Sequence, residues 1–121
     1  MRTVPLLLMI GALYAFLPKP VMLTVFPGYA QMAPATFVFV VIAPRDPANR
    51  EACFGYDGPE QRSFCWTLDG DKSRRSWRFE WPLRVSGEYE AVASVTRMAD
   101  GRAQTYVDRQ PFRVIGFEAE P

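Results

Sequence analysis

The chain has 121 residues, with 14 basic and 13 acidic side chains, a net charge of +1 at neutral pH, and 49% hydrophobic against 22% charged residues. That balance is ordinary for one globular domain, argues against disorder, and gives no global electrostatic reason for a nucleic-acid or anionic-membrane partner. Histidine is absent, which removes the commonest general base and metal ligand and leaves no Ser or Cys triad of the usual kind to assemble.

Residues 1–20 come first. Arg2 is followed by an apolar run from Val4 to Leu17, and Pro18-Lys19-Pro20 then stops any helix. A run of this length suits the core of a secretory signal and is short of the roughly 20 residues a spanning helix needs. Ala15 alone is small near its end, so cleavage is poorly specified, and residues 1–20 read as a hydrophobic helix serving either as signal peptide or as N-terminal membrane anchor. No cysteine directly follows the run, which excludes a lipoprotein anchor. The uncharged stretch from Pro20 to Pro44 contains Pro27, Gly28, Gln31 and Pro34 and reads as two strands around a proline-rich loop, not as a second span.

The domain proper is predicted over residues 21–116, with a flexible tail at 117–121. Val21 to Phe26 is a first strand and Thr36 to Ala43 a second. Glu51 to Tyr56 and Arg62 to Leu68 form a hairpin around Asp57-Gly58-Pro59-Glu60-Gln61. Folding it about Pro59 places Cys53 opposite Cys65 on the outer face. Ala52, Phe54, Tyr56, Phe64, Trp66 and Leu68 then line the core face. A Cys53–Cys65 disulfide follows if the chain is exported, and two free thiols follow if it is cytosolic. Ser76 to Trp81 alternates, with Trp77, Phe79 and Trp81 on one face. Gly87 to Met98 and Arg102 to Ile115 are joined at Asp100-Gly101, a strong hairpin turn signal. Pro111 inside the last strand predicts a bulge or an edge. Seven strands with short loops make an all-β sandwich or barrel.

The spacing Leu83-x-x-x-Gly87-x-Tyr89-x-Ala91-x-Ala93 resembles the sixth strand of immunoglobulin-like and fibronectin-type-III-like sandwiches. In those domains a Gly-x-Tyr step carries the tyrosine corner. The Asp100-Gly101 turn, the closing Phe112-Arg113-Val114 strand and Pro34-Ala35-Thr36 before the second strand are similar to that family too. The resemblance covers residues 21–116 and implies a seven-stranded immunoglobulin-like β-sandwich, with Gly87 and Tyr89 forming the corner. Because the cysteines lie within one hairpin, it is closer to a bacterial immunoglobulin-like module than to an antibody domain. Members of this kind serve mostly in adhesion, spacing or assembly.

Glu80, Glu88 and Glu90 are the best candidates for a carboxylate pair, but solvated strand faces explain them far better. Asp69-Gly70-Asp71 lacks the longer acidic pattern of a calcium loop, and Met22, Met32 and Met98 have no cluster spacing, so no metal and no cofactor is expected. Lys72-Ser73-Arg74-Arg75-Ser76-Trp77-Arg78 reads as a charged sheet edge, with an acidic glycan or phospholipid headgroups as a minor option. Trp77 and Trp81 are candidate glycan contacts, as in a carbohydrate-binding module. The second strand is apolar on both faces: Phe37, Phe39 and Val41 point one way, Val38, Val40 and Ile42 the other. A sandwich strand normally shows water one polar face, so Val38, Val40 and Ile42 are the candidate interaction face. The expectation is a non-catalytic, exported module, periplasmic, cell-surface or membrane-anchored, that binds a protein partner and not nucleic acid.

Overall fold

A computed structural model describes residues 19–28 and 31–116. The expected hydrophobic helix of residues 1–20 falls almost wholly outside them, as does the tail 117–121. Among the described residues the chain is all-β, with eight strands: β1 Met22–Phe26, β2 Gln31–Met32, β3 Ala35–Ile42, β4 Asn49–Asp57, β5 Arg62–Thr67, β6 Ser76–Leu83, β7 Gly87–Ala99 and β8 Arg102–Ile115. One 3-10 turn, Gly70–Lys72, precedes β6. No helix among the described residues is long and apolar enough to cross a membrane.

The strands form two sheets, ordered β1-β3-β6 and β2-β8-β7-β4-β5. The sheets face each other across one core, in a sandwich-like arrangement. Each strand contributes its alternate side chains to that core, because side chains change face at every residue. Val21, Leu23 and Val25 come from the β1 segment, Phe37, Phe39 and Val41 from β3, and Ala91, Ala93 and Val95 from β7. Rings bridge the sheets: Phe37 meets Phe112 at 4.9 Å between centroids, and Phe39 meets Phe54 at 5.1 Å. Fully burying a side chain of this size contributes about 2–3 kcal/mol, so Phe37, Phe39 and Phe54, none more than 1% exposed, anchor the packing.

Four details differ from the sequence reading. First, β2 was not foreseen. It is two residues long, lies between prolines, and pairs in parallel with Val114 and Ile115 of β8. Two residues carry no alternation to read.

Second, Phe64 is 38% exposed and Trp66 only half-buried, although both were placed in the core. β5 is the edge strand of its sheet, so its inner side chains overhang the rim. There Phe64 meets Phe79 at 5.2 Å and Trp66 meets Trp77 at 5.2 Å, both from β6.

Third, β6 runs on through Pro82 to Leu83, which is permissible because β6 is also an edge. Fourth, the pairing of β7 with β8 runs through Glu90↔Pro111 without a shift. Pro111 therefore occupies an edge position, and the register irregularity falls instead at Arg50, between Asn49 and Glu51 of β4.

Candidate interaction surface

The outer face of the three-stranded sheet is built from three cross-strand rows. Pairing aligns Met22 with Ile42 and Ser76, Thr24 with Val40 and Arg78, and Phe26 with Val38 and Glu80. Because directly paired residues share a face, Val38, Val40 and Ile42 form the centre of the surface. Met22 and Phe26 extend it along β1, 39% and 51% exposed. The β6 side is polar, with Arg78 ion-paired to Glu80. The result is an apolar centre with a charged border on one flank.

Val38, Val40 and Ile42 remain half-buried, since neighbouring strands shield their stems. Sequence reasoning found these three and missed Met22 and Phe26. The signal was present in Val21 to Phe26, where both alternating sets are apolar except for Thr24. The free edge of β1 is partly closed, because Leu23 N–H donates to the Asp108 carboxylate of β8 at 2.7 Å.

The outer face of the five-stranded sheet is different in kind. Glu88 pairs with Arg113 at 2.9 Å and Glu90 with Arg109 at 3.0 Å. The Thr96 and Thr105 hydroxyls bond each other at 2.9 Å. Cys53 and Cys65 are joined by a disulfide on this face, at directly opposed positions of β4 and β5. A shallow open groove of about 510 Å³ lies over the bridge, lined by Gly55, Ser63, Val92 and Ser94 among others. Gly55 is required there. A Cβ on it would lie 2.4 Å from Arg62 O and 2.6 Å from Ser63 Cβ, so any side chain would push β5 away from β4. Glu51, Cys53 and Cys65 bring ligand atoms within 4.8 Å of one another. With both sulfurs in the bridge, neither is free to bind a metal ion.

The turn before β7 carries a compact polar cluster. The Tyr89 hydroxyl donates to Val85 O at 2.6 Å. Gly87 makes the turn possible: its φ is +145°, and a Cβ would lie 2.6 Å from Pro59 Cγ. Across the turn, Glu60 accepts from Arg84 N–H at 2.7 Å and from Val85 N–H at 2.9 Å. Those bonds, that from Val85 first, hold the Glu60 carboxyl below its ordinary range despite an opposing desolvation effect. Burial pushes the Tyr56 and Tyr89 phenols up, so both stay protonated. Glu60 was not singled out from the sequence, because a glutamate in a loop gives no sign that it will cap amides 24 and 25 residues away.

The other expected groups are placed as follows. Glu80 stands on the outer face of one sheet, and Glu88 and Glu90 on the outer face of the other, so the three carboxylates are not brought together. Asp69 and Asp71 flank the start of the 3-10 turn and are exposed. Trp77 and Trp81 lie on the inner side of β6, half-buried. Trp77 packs on Trp66, and Trp81 on Phe54 at 5.5 Å. The Arg62 guanidinium covers Trp81 at 4.5 Å from its ring centroid. No protein-family model matches the chain, and a search of curated proteins finds no match.

Proposed function

We propose that this chain is a non-catalytic, exported module of the immunoglobulin-like or fibronectin-type-III-like kind. In this reading it assembles with a protein partner through the outer face of its β1-β3-β6 sheet. The observation that carries the proposal is the contrast between the two outer faces. One is spread with ion pairs and hydroxyls around an exposed Val107, and the other sets the exposed Met22 and Phe26 beside the half-buried Val38, Val40 and Ile42 as one apolar patch. Contiguous exposed apolar surface favours burial against a partner. An apolar centre beside a polar rim is the usual anatomy of such contacts.

The fold type is supported by the Tyr89–Val85 bond at a Gly-x-Tyr step and by the pairing of two sheets around one aromatic core. Export is supported by the apolar residues 4–17 and by the Cys53–Cys65 bridge, since disulfides persist in oxidising compartments. The non-catalytic reading is supported by a sequence without histidine and by glutamates that are each ion-paired to an arginine, Glu80 to Arg78, Glu88 to Arg113 and Glu90 to Arg109. The glycan reading through Trp77 and Trp81 has weaker support, because sugar stacking needs bare ring faces and these two are occupied by Trp66, Phe54 and Arg62.

The test is a photo-crosslinking residue placed at position 40 and, separately, at position 109 on the other sheet, in cells producing the full chain. A discrete crosslinked protein species is expected from position 40 and not from position 109. Val40→Glu, which sets a carboxylate opposite Arg78, is expected to abolish the species when the crosslinker is moved to position 38. Equal crosslinking from both faces, or persistence in the Val40→Glu variant, contradicts the proposal.

A further inference from the structure

The net charge of +1 conceals an uneven distribution between the two ends of the sandwich. One end is where β1 begins. Its loops are tied together by backbone hydrogen bonds: Ala43 N–H donates to Arg75 O, Leu68 N–H to Arg50 O and Met98 N–H to Ala48 O, each at 2.8 Å. Arg45 Nε donates to Ser73 O at 3.2 Å, and Met22 pairs with Ile42 beside them. Residues 19–21, 43–50, 68–75 and 97–102 therefore make one continuous surface.

Lys19 lies on the approach to β1, and Arg45 and Arg50 lie around the start of β4. Lys72, Arg74 and Arg75 precede β6. Arg97 and Arg102 flank the β7–β8 turn. All but Arg97 are exposed. The acids on the same surface are Asp46, Asp69, Asp71 and Asp100, of which Asp46 is paired with Arg97 at 3.6 Å. Eight basic against four acidic side chains leave four positive charges in excess. The opposite end, residues 31–34, 57–62, 82–88 and 112–116, carries three of each sign: Arg62, Arg84 and Arg113 against Asp57, Glu60 and Glu88. A charged guard on a sheet edge would sit within an edge strand. Lys72, Arg74 and Arg75 stand in the loop before β6 and Arg45 in the loop after β3, so edge protection does not account for this concentration.

In the sequence, the apolar residues 4–17 precede this end. Leu17 is followed by Pro18-Lys19-Pro20-Val21 and then by β1, a reach of about 17 Å at full extension. A basic cluster immediately beside an apolar segment is the arrangement that attracts anionic lipid headgroups, at about 1 kcal/mol per Lys or Arg near the surface. We infer that the β1-proximal end of the sandwich is a docking surface for an anionic phospholipid bilayer, with its basic loops against the headgroups. The outer face of β1-β3-β6 then stands at an angle to the lipid plane, accessible from the side. The inference does not rest on the protein partner of that face.

The experiment uses the full chain on vesicles of phosphatidylcholine with and without phosphatidylglycerol. Hydrogen exchange is followed at residues 43–48 and 70–75, with residues 58–61 as the opposite-end reference, and binding is followed by co-sedimentation. Exchange in both basic loops is expected to slow several-fold on the phosphatidylglycerol vesicles only, to recover at high salt, and to stay unchanged at residues 58–61. Arg74→Gln with Arg75→Gln is expected to lower the preference for anionic over neutral vesicles about 30-fold, from two side chains at that energy each. Arg109→Gln with Arg113→Gln removes the same charge elsewhere and is expected to leave the preference intact. Equal exchange on both lipids, failure to bind either, or an equal loss in both double variants overturns the inference.

Discussion

Single residues decide the turn before β7. Tyr89 is 3% exposed, and its hydroxyl reaches Val85 O. Tyr89→Phe keeps the ring and removes that bond, so a loss of about 1 kcal/mol is expected, read as a lowered urea midpoint at constant m-value. Glu60 gives a pH signature. Its carboxyl is held below the ordinary value of 4.5 in the folded chain by the Val85 and Arg84 amides. A depressed folded value means the contribution is present above the unfolded value and is lost as pH falls through the folded one. Urea midpoints measured from neutral to acid are therefore expected to show a fall below about pH 4.5 that Glu60→Gln lessens. An unchanged acid slope in that variant would remove Glu60 from the account. The Gly-x-Tyr step was legible in sequence because both residue types are rare requirements of one local geometry. Its partner Glu60 was not, because it comes from a distant loop.

At the scale of elements, the β4–β5 hairpin is the best case of sequence reasoning. Counting outward from Pro59 gives the register that pairs Cys53 with Cys65 and Phe54 with Phe64. Strand alternation then fixes the faces, since the period is two. The bridge spans a separation of 12 residues, and closing a loop of that order stabilises by about 3 kcal/mol on the chain-entropy model. The sulfurs lie outside the core, so reduction is expected to lower stability by that amount while leaving the near-ultraviolet circular dichroism of the packed rings intact. Loss of the aromatic signal on reduction under native conditions would show that the bridge organises the core. Alternation gave a poorer account of Phe64 and Trp66. It states which side of a strand a residue faces, and burial also depends on whether the strand has a neighbour on both sides.

For the whole molecule, two surfaces with different chemistry occupy different places. The apolar face lies on the flank of the sandwich and the basic loops at its end, and the row Met22–Ile42–Ser76 stands between Val40 and those loops. Val40 pairs with Thr24 and Arg78 and not with Arg74 or Arg75, so substitutions at these positions are expected to act independently. Val40→Glu should leave the anionic-vesicle preference unchanged, and Arg74→Gln with Arg75→Gln should leave crosslinking from position 40 unchanged. A joint loss in either variant, read by the same two assays, would mean that partner binding and lipid docking share one surface.

The sequence by itself determined the all-β class, the positions of the long strands, the cysteine pair, the Gly87–Tyr89 turn and the two-sided apolarity of β3. Each of these is carried by near neighbours in the chain or by a period of two. Only the tertiary structure decided which strands are edges, and so why Phe64, Trp66, Trp77 and Trp81 stop short of full burial. It alone joined Met22 and Phe26 to the apolar face and gathered basic side chains from four segments at one end. Those outcomes depend on which strands become neighbours, and neighbours between sheets are set by burial of the common core, which no local pattern records.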